Sequence, residues 1–380
     1  MPIRVAVVGT GAVARGQHLP SLAALGDRVE IVAVADVDPA SAESAAARFG
    51  VRARYTGLDE LLATEKPDLV TLATPPIAHK DAAIAALDAG AWVLSEKPPT
   101  LSLADYDEIA SHERENGPYA AYVFQHRFGS AAERLREHVE RGALGRPLVA
   151  RCDTLWYRDP SYFAVPWRAR WATEGGGPTM GHGIHQMDLL LSILGEWTDV
   201  TAVMSTLARE TETEDVSFAV VRFASGALCS VSNSLLSPRE TSQVRIDFEL
   251  ATVEVEHLYG YDNAHWTWTP APQVDAATAA AWPPTENVPS TTHAPQLAHM
   301  VAAMEAGVRP RVSGDDGRRV MELAAGMYKS ALTGRPVSRD ELVPGDPFYA
   351  SMAGTDPREA TARIHAGTIR ASHGEAAARG

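Results

Sequence analysis

Short apolar runs alternate with helical segments through the first third of the chain. The runs lack the polar alternation of a half-exposed strand, which is typical of strands buried on both faces of a parallel sheet. They are Val5–Val8, Ile31–Ala35, Leu69–Ala73, Trp92–Leu94 and Ala120–Phe124. Between them we predict a helix over His79–Leu87 and another from the cap residue Ser102 to just before Gly117. This succession predicts right-handed βαβ units and a doubly wound sheet.

From about Leu148 the pattern changes to consecutive strands without helices between them, which indicates an antiparallel sheet. These strands are Asp199–Leu207, Val216–Phe223, Ala227–Ser232, Val244–Leu250 and Thr252–His257, and two helical stretches follow at His293–Ala306 and Asp315–Thr333. We therefore predict an α/β fold. An N-terminal Rossmann doubly wound parallel sheet takes residues 1–125, and a C-terminal α+β domain with a largely antiparallel open sheet takes residues 126–345.

One face of the second sheet is predicted to be filled by four apolar side chains, those of Val203, Phe218, Val220 and Val231. If both faces prove apolar, the exposed face is a candidate subunit interface. We therefore expect a homodimer or homotetramer formed through this sheet. The tail, residues 346–380, is polar and rich in Ala and Gly. We interpret it as loosely ordered, the alternative being an arm that clasps a dimer.

Composition excludes several classes of protein. The 380 residues carry a net charge of −14, with 45% hydrophobic and 22% charged residues, which is ordinary for a soluble globular chain. The acidic balance argues against binding to nucleic acid or to an anionic membrane. Cys152 and Cys229 lack CxxC spacing, so we expect two buried, reduced thiols. The run Val5–Val8 is too short for a signal peptide or a membrane span, so we expect a cytoplasmic protein.

The first chemical motif is the glycine turn Gly9-Thr10-Gly11-Ala12-Val13-Ala14, which follows a predicted strand and precedes a predicted helix. In a dinucleotide site, Gly9 permits the tight turn and Gly11 lets the backbone approach a pyrophosphate. Ala14 keeps the helix close to the sheet, and the start of that helix offers amide donors to phosphate. An accidental glycine turn is the alternative, and the strand–turn–helix context weighs against it.

Asp36 ends the next predicted strand, 22 residues after Ala14, close to the spacing at which an acid meets the adenosine ribose. Its carboxylate accepts hydrogen bonds from both ribose hydroxyls and repels a 2′-phosphate. NAD is therefore favoured over NADP as the cofactor. Three nearby arginines weaken that preference, Arg48, Arg52 and Arg54.

The second motif is Ser95-Glu96-Lys97-Pro98, at the end of the predicted strand Trp92–Leu94. The carboxyl ends of strands in a doubly wound sheet face the ligand crevice. Lys97 is either an ordinary solvated lysine or a cation beside the nicotinamide. In the second case, partial burial lowers its pKa so that it exchanges a proton.

These motifs and several others stand in the order found in one family of enzymes. The further matches are Ala73-Thr74-Pro75 with His79, Gln125-His126-Arg127-Phe128, Trp167-Arg168, Gly175-Gly176-Gly177 leading to Gly183-Ile184-His185, and Val312-Ser313-Gly314-Asp315-Asp316-Gly317. The sequence resembles the Gfo/Idh/MocA family of NAD(P)-dependent sugar oxidoreductases up to about residue 345. The resemblance implies cofactor contacts from six residues, Thr74, Pro75, His79, Glu96, Trp167 and Arg168, the last two at the nicotinamide end.

The family often has an acid four residues before its histidine, and this chain has Gly181 in that position. The histidine itself is retained as His185, and His182 is an added imidazole. We therefore assign proton transfer to Lys97 with His185, helped by His182, since a histidine exchanges protons near neutrality. The alternative for each histidine is a buried structural role. Two histidines without a third ligand do not make a zinc site, so we expect no metal.

A cluster of aromatic and basic residues precedes the triple glycine, Trp156-Tyr157-Arg158 and Trp167-Arg168-Ala169-Arg170-Trp171. Aromatic faces pack on sugar rings and arginines bind carboxylates, which favours a wall for a sugar or sugar acid. The alternative is tryptophans in the core with arginines reaching solvent. Four later aromatic residues close this pocket or that of a neighbouring subunit, Tyr259, Tyr261, Trp266 and Trp268.

The function predicted from these residues is NAD-dependent hydride transfer between nicotinamide and a hydroxyl or carbonyl of a sugar, polyol or sugar derivative. Proton transfer is assigned to Lys97 and His185. The candidate substrate-binding residues are Lys97, Arg127, Arg168, His182 and His185. Two alternatives stay open, transient oxidation followed by elimination and a dinucleotide-binding sensor without catalysis.

Overall fold

The computed structural model describes residues 1–257, 260–289 and 292–366. Its first half contains six strands, β1 (Ile3–Val8), β2 (Val29–Ala35), β3 (Ala53–Tyr55), β4 (Leu69–Leu72), β5 (Trp92–Ser95) and β6 (Ala120–Tyr122). Five helices accompany them, α1 (Leu19–Ala23), α2 (Pro39–Phe49), α3 (Leu58–Glu65), α4 (His79–Asp88) and α5 (Leu103–Ser111). All strand pairs are parallel, in the order β3-β2-β1-β4-β5-β6. The predicted doubly wound sheet is confirmed.

The second half contains eight strands, β7 (Pro147–Tyr157), β8 (Trp197–Ser205), β9 (Val216–Phe223), β10 (Leu228–Ser234), β11 (Leu236–Phe248), β12 (Ala251–His257), β13 (Trp266–Pro270) and β14 (Val337–Ser338). They form one sheet in the order β13-β12-β11-β7-β10-β9-β8-β14. Every pair is antiparallel except β7 with β10. The predicted largely antiparallel sheet is confirmed, although the sequence pattern did not reveal β7, β13 or β14.

Seven helices belong to the second half of the chain, α6 (Ser130–Glu140), α7 (Ile184–Leu194), α8 (Ala276–Ala280), α9 (Ala294–Ala306), α10 (Gly314–Thr333), α11 (Pro347–Ala350) and α12 (Pro357–Ala366). Helix α7 packs on β7 and β11, and α10 packs on β8. One face of the large sheet is therefore covered by helices. No helix within the described residues is both long enough and apolar enough to cross a lipid bilayer.

The four valine and phenylalanine side chains assigned to one face of the large sheet lie on both faces. Val203, Phe218 and Val220 are exposed by 68%, 55% and 56%, whereas Val231 is 1% exposed. The reason is register, because Val231 pairs with Ala219, and Ala219 points away from its neighbours Phe218 and Val220. The prediction was wrong for Val231, and the outer face carries exposed apolar side chains of its own.

The tail does not match the expectation of loose order over its first part. Helices α11 and α12 pack on the body of the molecule, with Phe348, Met352 and Ile364 buried in the main core. Residues 367–380 lie outside the described residues. The polar composition of the tail concealed these buried side chains, because a few apolar residues are enough to hold a short helix against the core.

Helix α9 joins the two halves. Its residues Leu297 and Met300 pack in the same core as Val5 and Val7 of β1. Gln296 adds polar contacts, accepting from the amide of Phe124 at 3.0 Å and donating to the carbonyl of Tyr122 at 2.6 Å. The division near residue 125 stays a prediction, and a helix from the second half of the chain completes the core of the first half.

Candidate functional site

A cavity of about 680 Å³ lies where the two halves meet. On one side it is lined by residues that directly follow β1, β4 and β5, among them Gly11, Thr74 and Lys97. The carboxyl ends of parallel strands are where ligands bind in doubly wound sheets. The other side comes from the second half, so a bound molecule touches both.

The glycine turn after β1 is built as its spacing predicts. Gly9 has a φ of +84°, and a Cβ there would lie 2.6 Å from the carbonyl oxygen of Ala73. Gly11 has open space where a Cβ would be, so its backbone can be approached closely. The backbone from Gly11 to Val13 lines the cavity and leads into a π-helical segment, Ala14–His18, that runs into α1. This helix start suits the phosphates of a dinucleotide.

Asp36 follows β2 and is held beside the turn. Its Oδ2 accepts hydrogen bonds from the amide and hydroxyl of Thr10 at 2.8 and 3.0 Å, and its Oδ1 accepts from the amide of Asp38 at 2.9 Å. Burial raises the pKa of Asp36, but these hydrogen bonds outweigh it and the pKa is lowered overall. A fixed carboxylate therefore stands next to the turn, as an adenosine ribose requires.

Lys97 lies on the cavity wall and is partly buried. Its Nζ donates a hydrogen bond of 2.8 Å to the carbonyl oxygen of Gly181. Burial lowers the pKa of Lys97, the charges of Glu96 and Glu174 raise it, and those of Arg168 and Arg158 lower it further. The balance is a lowered pKa, which is the property that a proton-exchanging amine needs.

Glu96 is anchored by two histidines. Its Oε1 accepts from Nε2 of His18 at 3.0 Å and from Nε2 of His293 at 2.8 Å, and its Oε2 accepts from the amide of Lys97 at 3.2 Å. Burial raises the pKa of Glu96, yet the two histidine hydrogen bonds hold it well below the usual value. The cluster ties the end of β5 to the π-helical segment and to the start of α9, and so fixes the backbone of Lys97.

His182 and His185 both line the cavity, as predicted. They lie at the junction of a π-helical segment, Thr179–Gly183, with α7. Burial, followed by the charge of Lys97, lowers the pKa of both imidazoles well below 6.5. Both rings are therefore neutral at pH 7 and can accept a hydrogen bond from a hydroxyl.

Six predicted site residues do not line the cavity, namely Gly9, Thr10, Ala14, Asp36, His79 and Arg127. His79 is buried, with Nδ1 2.9 Å from the carbonyl oxygen of Pro98 and Nε2 2.9 Å from that of Thr74, so it fastens two wall loops together. Arg127, predicted to bind substrate, is buried against Asp188 and Asp316, with Nε 2.6 Å from one carboxylate and Nη1 2.8 Å from the other. It connects three segments of the fold and is absent from the cavity wall, contrary to the prediction.

The aromatic and basic cluster divides into two parts. The cavity is lined by Trp156, Arg158, Trp167 and Arg168, joined by Tyr162. The guanidinium of Arg168 lies over the rings of Tyr162 and Trp167, 3.9 and 4.4 Å from their centroids. Trp171 is instead buried against Tyr328, as the alternative of a core tryptophan predicts, whereas a sugar-binding role for the residues that line the cavity stays a prediction.

Several cavity residues were given no role from the sequence, namely Glu174, His126, Tyr162, Gln186 and His257, although His126 lies in one of the motifs matched to the family. They come from separate elements, among them α7 for Gln186 and β12 for His257, and no spacing connects them. Of the later aromatic residues, Tyr261 lines the cavity, whereas Trp266 and Trp268 belong to the core around β13. Tyr259 lies outside the described residues.

Comparison with known proteins agrees with this geometry. Residues 3–123 match the family described as "Oxidoreductase family, NAD-binding Rossmann fold", and residues 132–254 match the "GFO/IDH/MocA C-terminal domain". D-glucoside 3-dehydrogenase of Escherichia coli (strain K12) is 29% identical over 287 residues, which cover 69% of this chain and 80% of that protein. Myo-inositol 2-dehydrogenase of Thermotoga maritima is 25% identical over 371 residues, covering 90% and 100%.

Among solved structures, the WlbA dehydrogenase from Bordetella pertussis, in complex with NADH and UDP-GlcNAcA, is similar with a TM-score of 0.79. The two are 27% identical, over 89% of this chain and 99% of that one. The glycine turn and Asp36 both lie within residues 3–123, the part of the chain that matches the NAD-binding family. Their geometry fits NAD. The first half is an NAD-binding Rossmann domain, and the chain belongs to the GFO/IDH/MocA family of oxidoreductases.

Proposed function

We propose that this protein is an NAD-dependent dehydrogenase acting on a hydroxyl group of a sugar, polyol or sugar derivative. The observation that carries the proposal is that Lys97 and His185 line the same cavity as the glycine turn. The names of D-glucoside 3-dehydrogenase and myo-inositol 2-dehydrogenase describe oxidation of one hydroxyl in a ring of several. A substrate of that class fits a cavity with many hydrogen-bonding groups.

The residues of the first half would hold the cofactor. Backbone amides from Gly11 to Val13 face its pyrophosphate, and Asp36 accepts from its adenosine ribose and disfavours the 2′-phosphate of NADP. Thr74 and Pro75 form the adjoining wall, and Trp167 with Arg168 closes the nicotinamide end. NAD, when bound, accepts the hydride at its nicotinamide ring.

Lys97 takes the proton of the hydroxyl group that is oxidised. Its lowered pKa provides a larger fraction of neutral amine than an ordinary lysine has, and the neutral amine is the form that accepts the proton. His185, also neutral, accepts a hydrogen bond from the same or the adjacent hydroxyl. The aromatic rings of Trp156 and Trp167 pack on the C–H face of the sugar, and Arg168 contacts its polar substituents.

We also propose that two copies associate through the outer face of the large sheet. Val203 pairs with Phe218 across β8 and β9, and Val149 pairs with Leu228 across β7 and β10, so the exposed apolar side chains spread over four neighbouring strands. Exposed apolar side chains on one face of a sheet favour burial against an equivalent face, as in a twofold dimer.

The test of the catalytic proposal is Lys97→Ala with Lys80→Ala as its control. Lys80 pairs with Asp105 and Glu108 on the surface, 3.2 Å from each. We expect Lys97→Ala to lower turnover on sugars or polyols at least about 10²-fold, the usual scale of acid–base loss, while NAD binding is retained. Lys80→Ala should match the wild type, and unchanged turnover in Lys97→Ala would reject the role of Lys97. Product analysis separates the alternatives, because elimination gives an altered sugar without net NADH.

A further inference from the structure

Gly181 lies on the cavity wall between Lys97 and Glu174. Nζ of Lys97 donates to its carbonyl oxygen at 2.8 Å. A Cβ on Gly181 would lie 3.1 Å from Oε1 of Glu174, and among the described residues no other side chain comes within 4 Å of that point. The carboxylate of Glu174 therefore occupies the space into which a side chain at position 181 would extend.

The loop before the triple glycine holds Glu174 in this place. Amides of Thr173, Glu174 and Gly175 all donate to the carbonyl oxygen of Arg170, which folds the loop tightly. The Glu174 side chain turns inward, is 6% exposed and accepts a hydrogen bond at Oε2 from the amide of Ala169. Its orientation is thus fixed by backbone contacts, and Oε1 is directed toward Gly181.

We propose that Glu174 is a positioning residue for Lys97, and that its carboxylate supplies from the loop the negative charge that Gly181 cannot supply from the helix. The role in turnover rests on the proposed function. When the substrate hydroxyl gives its proton to Nζ, the neutral amine becomes an ammonium ion. The carboxylate of Glu174 stabilises that ion across Gly181, so the amine is a stronger base than burial alone would allow.

The charged and titratable groups that face Lys97 come from several elements. They are Glu96 at the end of β5, Arg158 after β7, Arg168 and Glu174 of the loop, and the imidazoles of His126, His182 and His185. Glu96 already uses one oxygen for two histidines and the other for a backbone amide. Glu174 is the other carboxylate whose charge reaches Lys97, and its Oε1 also lies 3.8 Å from Nη1 of Arg168. Burial raises the pKa of Glu174, and the amide of Ala169, the charge of Arg168 and then that of Lys97 oppose the rise.

The first test measures Lys97 directly and needs no substrate. The full protein is treated briefly with acetic anhydride between about pH 7 and pH 11, and acylation of Lys97 is quantified by peptide mass spectrometry. We expect Glu174→Gln to move the midpoint for Lys97 to lower pH by about half a pH unit or more, because an opposite charge is lost. An unmoved midpoint in folded Glu174→Gln would overturn the proposal.

Glu212→Gln is the matched control for this titration. Glu212 also accepts from a backbone amide next to the loop, that of Trp171 at 3.3 Å, but it does not line the cavity. The same change of carboxylate to amide there should leave the Lys97 midpoint in place. An equal shift in both variants would mean that loop structure, and not the charge beside Gly181, is being measured.

The second test moves the acid from the loop to the helix. Glu174→Ala should lower kcat about tenfold or more with little change in NAD binding, and Gly181→Asp alone should also impair turnover because two carboxylates then compete for one space. The double variant should recover most of the loss, since removal of Glu174 clears the space beside Gly181. A double variant no faster than Glu174→Ala, with all three folded by circular dichroism, would contradict the proposal.

The two tests separate this inference from the proposed function. A Glu174→Gln shift in the Lys97 midpoint, in a protein that oxidises no sugar or polyol, would refute the proposed substrate and keep the electrostatic coupling. Turnover on a sugar without any shift would keep the proposed function and refute the role of Glu174.

Discussion

At the scale of single residues, the cavity wall holds ionisable groups whose surroundings move their pKa values in opposite directions. Burial lowers the pKa of Lys97 and of His185, and it raises the pKa of Glu174. Each shift increases the fraction of the neutral form of the group near neutral pH. Such opposed shifts in one cleft are typical of acid–base chemistry, where a proton must be taken up and released at little cost.

A second buried carboxyl, that of Glu214, lies outside the cavity and sets a pH dependence of stability. Its oxygens accept from the hydroxyl of Tyr328 at 2.8 Å and from the amides of Gly177 and Thr179, both at 3.1 Å. Burial nevertheless raises the pKa of Glu214 from 4.5 to about 7. The unfolded chain therefore loses this proton at lower pH than the folded chain does.

The sign of the effect follows from linkage. With a raised pKa in the folded state, the contribution of Glu214 to stability is fully present below about pH 4.5 and is lost as the pH rises to about 7. We expect the wild type to lose on the order of 2 kcal/mol relative to Glu214→Gln over this window. Urea unfolding of both proteins from pH 4.5 to pH 8 measures the difference, and parallel pH profiles would show that Glu214 is not the group responsible.

At the scale of elements, two glycines of the turn between β1 and the following helix have different roles. Gly9 allows the chain to fold, and Gly11 leaves room for the cofactor. A Cβ at Gly9 would clash with the backbone at Ala73, whereas a Cβ at Gly11 would meet nothing within 4 Å. We expect Gly9→Ala to lower the melting temperature and Gly11→Ala to melt like the wild type but bind NAD more weakly, since its methyl group faces the pyrophosphate. Thermal melts and NAD titration by calorimetry check both, and equal NAD affinity in Gly11→Ala and wild type would argue against this phosphate site.

The elements that enter the cavity share a further feature. Both the helix after the glycine turn and the helix that carries His185 begin with a π-helical segment, at Ala14–His18 and Thr179–Gly183. A π-helical turn shifts the side chains that follow it relative to an α-helix, and such turns are frequent at functional sites. His18, in the first segment, contacts Glu96, and His182, in the second, lines the cavity.

At the scale of the whole molecule, the proposed dimer through the outer face of the large sheet can be tested by one substitution. We expect Phe218→Glu to convert a dimer into a folded monomer, because Phe218 is 55% exposed in the single chain and its replacement leaves the core unchanged. Val343→Glu, at a site 50% exposed and away from the sheet, is the control. Sedimentation velocity distinguishes the species, and a wild type that sediments as a monomer would refute the proposed interface.

The sequence by itself determined most of the elements and the cofactor domain. Five strands of the first sheet, the turn from Gly9 to Ala14 and the position of Asp36 were all predictable. The physical reason is that each depends on neighbours along the chain. Burial on both faces of a strand leaves an uninterrupted apolar run, and a tight turn beside a phosphate requires glycine at fixed spacing. The family resemblance rests on the same local motifs.

Only the tertiary structure decided which distant residues meet. It placed Arg127 between Asp188 and Asp316, it put Val231 on the covered face of its sheet, and it brought Glu174 into the space beside Gly181. No periodicity predicts such contacts, because they depend on strand register and on loops that fold back from other parts of the chain. The charge environment of Lys97, and with it the basicity of its amine, is therefore a property of the folded chain.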